Sequence, residues 1–154
     1  MVVTYEHDYY NEEGRNISNT SQYDYNCGGY ALGTFNWYCP YRDEEDHTSH
    51  LRKKMSVDDM ARYYADFILE DFFGKIREIK SITELLENEK AVAFRCGIED
   101  FHFCIRGHNG VWYHKPGCSY IRRITKTEVF AKEWRSPSGC VYYDSQIILF
   151  AIKD

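Results

Sequence analysis

The chain of 154 residues is long enough for one domain and short for two. At 44% hydrophobic and 28% charged, with three prolines and ten glycines, it falls outside the disordered, collagen-like and low-complexity classes. A formal charge of −5, nineteen basic against twenty-four acidic residues, gives no electrostatic reason to expect nucleic acid as the main partner.

The N-terminal run Met1-Val2-Val3-Thr4-Tyr5-Glu6-His7-Asp8 has neither a basic n-region nor an apolar h-region, and no later run approaches a membrane span. The expectation is a soluble, cytoplasmic protein with no membrane partner, export by other means being left open. Residues 1–25 are polar and Tyr-rich, with room for one short strand. Asn26 then stands as an N-cap before Cys27-Gly28-Gly29-Tyr30-Ala31-Leu32, and Tyr30, Ala31, Phe35 and Tyr38 recur at helical spacing until Pro40. Glycines in a first helical turn imply close backbone approach there.

Residues 41–55 read as charged and mostly loop. Ser56 caps a stronger helix with Asp58 and Asp59 in its first turn. Met60, Tyr63, Tyr64, Phe67, Ile68 and Phe72 form its apolar stripe, which ends before Gly74. Ser81-Ile82-Thr83-Glu84 is a capping box opening a short helix to about Asn88. From Ala91 the period changes to two, and Val92–Cys96, Phe101–Arg106, Val111–Lys115, Val129–Trp134 and Ile147–Ile152 read as strands. The basic cluster Arg122, Arg123 and Lys126 reads as a solvated strand edge. The whole predicts one α+β domain over 1–154: a polar segment at 1–25, a mainly helical part at 26–90, and an antiparallel sheet at 91–154.

The six cysteines include no C-x-x-C pair, so a zinc ribbon or thioredoxin-like site is not expected, and most should be small buried hydrophobes. Cys27 differs. At the first turn of a helix, unpaired N–H groups and the dipole would stabilise its thiolate, and Gly28 and Gly29 would admit a substrate backbone.

The second feature is a pair of histidines, His102 and His114, flanking Asn109-Gly110. A two-residue turn would put them on opposite faces. A three-residue loop with Gly110 left-handed pairs 107 with 111 and 104 with 114, bringing them to one face within hydrogen-bonding reach. The sequence permits both registers. His108 reads as a turn residue, and His7, His47 and His50 as exposed. His102, Cys104 and His114 could share a face, but structural zinc usually takes four ligands from paired spacings, so no metal centre is expected.

A helix-start Cys, a strand His and a polar group orienting that His form a thiol-hydrolase arrangement. Cys27 would be the nucleophile, His102 the general base and then acid, and His114 the orienting residue. The Cys27 backbone N–H would supply half of an oxyanion hole. Gln22, Tyr23 or Tyr25 could supply the other donor. No cofactor is implied.

This order resembles the papain-like cysteine hydrolases, and most of all their NlpC-type cell-wall endopeptidase branch. There a strand His is followed about a dozen residues later by a third polar residue, often His; here twelve residues separate His102 and His114. Asn26-Cys27-Gly28-Gly29-Tyr30-Ala31-Leu32 is also similar to the Asn-Cys-x-x-Tyr-Ala-Leu openings of small bacterial and phage papain-like proteins. The resemblance covers about 30 residues at the motifs. It departs from the family in having Asn-Cys-Gly-Gly for Asp-Cys-Ser-Gly, and the N-terminal run gives no expectation of the secretion signal that a cell-wall enzyme would carry. It implies a papain-like fold with N-terminal helices packed on a C-terminal sheet, cleavage of a peptide or other amide bond, and a peptide, protein or peptidoglycan substrate. The competing expectation is a non-catalytic binding or inhibitor protein on the same fold, which the 17% aromatic content would suit.

Overall fold

Six antiparallel strands, drawn from well-separated stretches of chain, form the main sheet in the order β1-β8-β2-β3-β4-β5. These strands are β1 (Ile76–Ile79), β2 (Glu89–Cys96), β3 (Phe101–Arg106), β4 (Trp112–His114), β5 (Arg122–Ile124) and β8 (Ile148–Lys153). The short strands β6 (Trp134–Arg135) and β7 (Tyr142–Tyr143) pair separately. The helices are α1 (Cys27–Ala31), α2 (Thr48–Leu51), α3 (Val57–Asp71) and α4 (Lys126–Val129). The structure, a computed structural model, describes residues 23–107, 109–117 and 119–153. The possible N-terminal strand, His7 and His108 lie outside the described residues.

Alternation along the central strands produces two cores. Val92, Phe94, Phe101, Phe103, Ile105 and Phe150 face α1 and α3. Ala91, Ala93, Cys104, Trp112, Leu149 and Ala151 face the other way, against Val129, Trp134 and Tyr143. α3 follows the sequence reading closely: Ser56 accepts from Asp59 N–H, and Met60, Tyr64 and Ile68 are fully buried. Each such large side chain taken from water contributes about 1.5–3 kcal/mol.

Three expectations need correction. The helical spacing continues to Tyr38, but α1 stops at Ala31, because Gly33 and Phe35 adopt positive φ and turn the chain back. There the Thr34 and Phe35 N–H groups both donate to the Gly29 carbonyl. The 41–55 segment is mostly loop, as expected, around a 3-10 turn at Glu44–Asp46 and α2, whose N-cap is the His47 ring accepting from Ser49 N–H at 3.1 Å. The Ser81–Glu84 capping box forms, but it closes only a 3-10 turn at Ile82–Glu84 before β2 begins. Val129–Trp134 is not a strand. A second capping box, Thr125 with Glu128, ends in α4, and only Trp134 and Arg135 are extended. The division into helical and sheet parts is also not clean, since β1 precedes residue 90 and pairs with β8.

Arg122 and Arg123 do lie on the edge strand β5, whereas Lys126 opens α4. Among the described residues no helix is long and apolar enough to cross a membrane.

Candidate active site

Asn26 organises the segment that carries Cys27. Its side-chain oxygen accepts from Gly29 N–H and Tyr38 N–H, each at 3.0 Å, and its amide nitrogen donates to the Tyr38 carbonyl at 2.7 Å. One buried side chain thus caps α1 and ties the returning chain to it. The two glycines serve this closure. A Cβ on Gly29 would stand 1.8 Å from the Asn36 carbonyl oxygen, and one on Gly28 would meet Tyr38 and Phe103 at 3.0 and 3.2 Å. The close approach expected of them is made by the chain itself, not left open to a substrate.

β4 is held against the same segment. Lys115, fully buried just beyond β4, donates to the Tyr25 carbonyl at 2.5 Å and to the Gly117 carbonyl at 2.7 Å. The residue after His114 is therefore bonded to the residue two before Cys27. No sequence signal marked this lysine, because its partners are main-chain carbonyls remote in the chain.

The hairpin adopts the bulged register. Gly107 N–H donates to Val111, Gly110 N–H to Gly107, and Gly110 has φ +82°. Ile105 stands opposite Tyr113 and Arg106 opposite Trp112. His102 and His114 consequently share a face, with His102 Nε2 at 2.8 Å from His114 Nδ1. Tyr143 and Trp134 wall the His102 ring at centroid distances of 5.3 and 5.9 Å.

Cys27 and His102 line one cleft of about 220 Å³, together with Asn26, Trp37, Cys39, Tyr41, His47, Asp100 and Tyr143. On its other side His102 joins His114 in lining a second pocket of about 350 Å³, edged by Arg122, Arg123 and Glu128. His47, expected to be exposed, is half-buried, whereas His50 is exposed. Among the described cysteines all are free; Cys27, Cys96 and Cys104 are buried and Cys140 is exposed.

Of the expected oxyanion donors, Gln22 lies outside the described residues. Tyr23 is exposed, and Tyr25 is 2% exposed, its ring packed on Phe35 and beneath the Lys115 ammonium. Neither Tyr25 nor Gly28 lines the cleft.

The electrostatics correct one expectation outright. Cys27 is only 5% exposed, and burial pushes its thiol up to about 12, with the Asp100 carboxylate adding to the rise. Hydrogen bonds from the Phe103 and Gly28 backbones and the Lys115 charge act in the opposite sense and are outweighed. A five-residue helix brings too little dipole to hold a thiolate against that desolvation. His102 is held well below the ordinary histidine value by burial and by His114. Burial and the Arg122 guanidinium bring His114 down to about 4. The resting pair at neutral pH is thus a thiol and an imidazole, both uncharged.

Tyr143, Trp134, Asp100 and His47 were missed by sequence reasoning. Each is an ordinary turn or strand residue locally, and only the fold brings it to His102 or to the cleft. No family model matches the chain, and no curated protein or solved structure matches it either.

Proposed function

We propose that this protein is a cysteine hydrolase of papain-like, NlpC-like type that cleaves a peptide or other amide bond. Cys27 is the nucleophile, His102 the base and then acid, and His114 the orienting residue. The observation that carries the reading is the His102–His114 hydrogen bond at 2.8 Å on a histidine that shares a cleft with Cys27. With Nε2 engaged by His114, Nδ1 is the nitrogen of His102 left for the thiol proton. Serving as base there requires the Nε2–H tautomer, so His102 donates and His114 Nδ1 accepts.

Because both groups rest uncharged, proton transfer accompanies attack. The sulfur bonds to the carbonyl carbon as its proton passes to His102 Nδ1, and the carbonyl electron pair moves onto oxygen. The tetrahedral intermediate collapses, the C–N bond breaks, and the amine leaves with the proton from His102. Water then attacks the thioester, giving up a proton to His102, and the carboxylate departs as the thiol is restored. A peptide, protein or peptidoglycan fragment would suit the chemistry, and no cofactor enters it.

One observation favours a second reading, a non-catalytic binding or inhibitor protein on the same fold. A thiol 5% exposed and raised to about 12 is what an inert buried cysteine shows. The deciding experiment measures amine release from denatured protein and from peptidoglycan fragments by the wild type, Cys27→Ala and His102→Ala, with Tm as folding control. The hydrolase loses essentially all turnover in Cys27→Ala at unchanged Tm. A binding protein leaves Cys27→Ala equal to wild type and is instead weakened by substitution of exposed aromatics such as Trp37.

A further inference from the structure

His102 and Cys104 are two residues apart on β3 and project from the same face. The β3–β4 register, continued one step from Ile105 and Tyr113, sets His114 opposite Cys104. Two adjacent strands thus deliver two imidazoles and a thiol to one point, with all three ligand atoms within 4.8 Å of one another. Tetrahedral zinc, with bonds of about 2.0–2.1 Å to nitrogen and 2.3 Å to sulfur, needs ligand atoms spaced roughly 3.3–3.6 Å apart. The 2.8 Å nitrogen pair has to open slightly, and the widest separation, at most 4.8 Å, to close by no more than about 1.5 Å, within the reach of side-chain torsions. The sequence spacing alone argued against a metal centre. The convergence of the two strands on one point favours one.

We propose that His102, Cys104 and His114 form a three-ligand site for a zinc-class divalent cation, and that its occupancy switches off the Cys27–His102 pair. Two imidazoles and one thiolate make a borderline-soft donor set, suited to zinc, cobalt or copper and unsuited to magnesium or calcium. The pocket lined by His102 and His114 opens a path to the two imidazoles, while Cys104 is fully buried. Charge around the site is mixed. Arg122 and Arg123 edge the pocket and oppose a cation, and Glu128 on α4 favours one. Arg95, on the neighbouring strand, is bonded to the carbonyls of Ala131, Lys132 and Ser145.

On binding, the Cys104 thiol gives its proton to solvent, the proton held between His102 Nε2 and His114 Nδ1 is transferred through water to His102 Nδ1, and the cation takes the two nitrogen lone pairs so freed. A neutral imidazole ligated through Nε2 carries its proton on Nδ1. His102 then has no lone pair for the Cys27 proton, and the base becomes a donor. The switching half of the proposal rests on the hydrolase reading. The binding half does not.

The test is titration of the wild-type protein with Co²⁺ at neutral pH, followed by near-ultraviolet thiolate-to-cobalt charge transfer and the visible d–d bands. The expected result is saturation at one equivalent with a charge-transfer band that Cys27→Ala keeps and Cys104→Ala loses. His114→Asn weakens binding at least tenfold, which decides the matter should Cys104→Ala fail to fold by circular dichroism. Absence of a charge-transfer band in the wild type overturns the site. So does a band lost in Cys27→Ala but kept in Cys104→Ala, which would put the metal in the cleft. Zinc should further abolish turnover in the wild type and spare Cys104→Ala. Cobalt binding through Cys104 in a protein without hydrolytic activity would remove the hydrolase reading and leave the metal site standing.

Discussion

His102 Nε2 lies 2.8 Å from His114 Nδ1, across two strands whose register is set by the loop between Gly107 and Val111. A one-residue change in that loop would move His114 to the opposite face of the sheet. The loop is therefore part of the site. Its Gly110, at φ +82°, is the residue that permits the bulged geometry.

His114 should matter less than the group it orients. His114→Ala leaves His102 in place but frees its ring to rotate, so turnover falls by less than the roughly 10²–10⁴-fold loss expected for His102→Ala. Parallel kcat/KM measurements check this. Equal losses, at unchanged Tm, would mean that His114 acts in the chemistry rather than on His102.

Gly29→Ala should destabilise the fold around Cys27. The new Cβ would stand 1.8 Å from a main-chain oxygen, that of Asn36, which no side-chain rotation relieves. Such overpacking costs about 1–3 kcal/mol, a fall of several degrees in Tm. A thermal melt overlaying that of the wild type would show that the Asn26–Tyr38 closure is looser than described.

Alkylation of Cys27 should report its burial. Because desolvation raises the thiol to about 12, the thiolate fraction at pH 7 is negligible and grows about tenfold per pH unit up to that value. Iodoacetamide mapped by peptide mass spectrometry should modify exposed Cys140 first, with Cys27 reacting only in strong alkali. Stoichiometric labelling of Cys27 near pH 6 would contradict the buried, neutral thiol.

Acid stability should carry the signature of Glu89. This buried carboxylate accepts from Arg77 at 2.7 and 3.1 Å and from Leu86 N–H at 2.9 Å. Arg77 first of all holds it below its ordinary value of 4.5. A depressed carboxyl contributes stability that is complete above the unfolded-state value and is lost as pH falls through the folded one. The Tm difference between wild type and Arg77→Gln should be full at pH 6–7 and shrink below pH 4.5. A difference that widens on acidification would remove this pair from the account.

What the sequence disclosed follows from how local each signal is. Asn109-Gly110 is a local backbone preference that marks the hairpin but is compatible with two registers, and the bulged one that joins His102 to His114 is the one the fold adopts. The α3 stripe and the Asn26 cap were equally local and equally readable. Val129–Trp134 does not form the expected strand because the capping box Thr125-x-x-Glu128 winds the preceding residues into α4, which takes Val129 with it. The state of Cys27 was not readable at all. A helix N-terminus predicts a lowered thiol, but the outcome depends on burial beneath segments distant in sequence, and desolvation outweighs the dipole of a five-residue helix. Tyr143, forty-one residues beyond His102, carries no local mark of its place against that ring.

The central claim is that Cys27 and His102 act as a nucleophile–base pair. It is tested most directly with a peptidyl acyloxymethyl ketone, whose carbonyl is presented as a substrate's would be and whose carboxylate leaves when a thiol attacks. The account predicts stoichiometric modification mapped to Cys27, with the rate falling at least ~100-fold in His102→Ala at unchanged Tm. Modification of any other cysteine, or of Cys27 at a rate indifferent to His102→Ala, would contradict it.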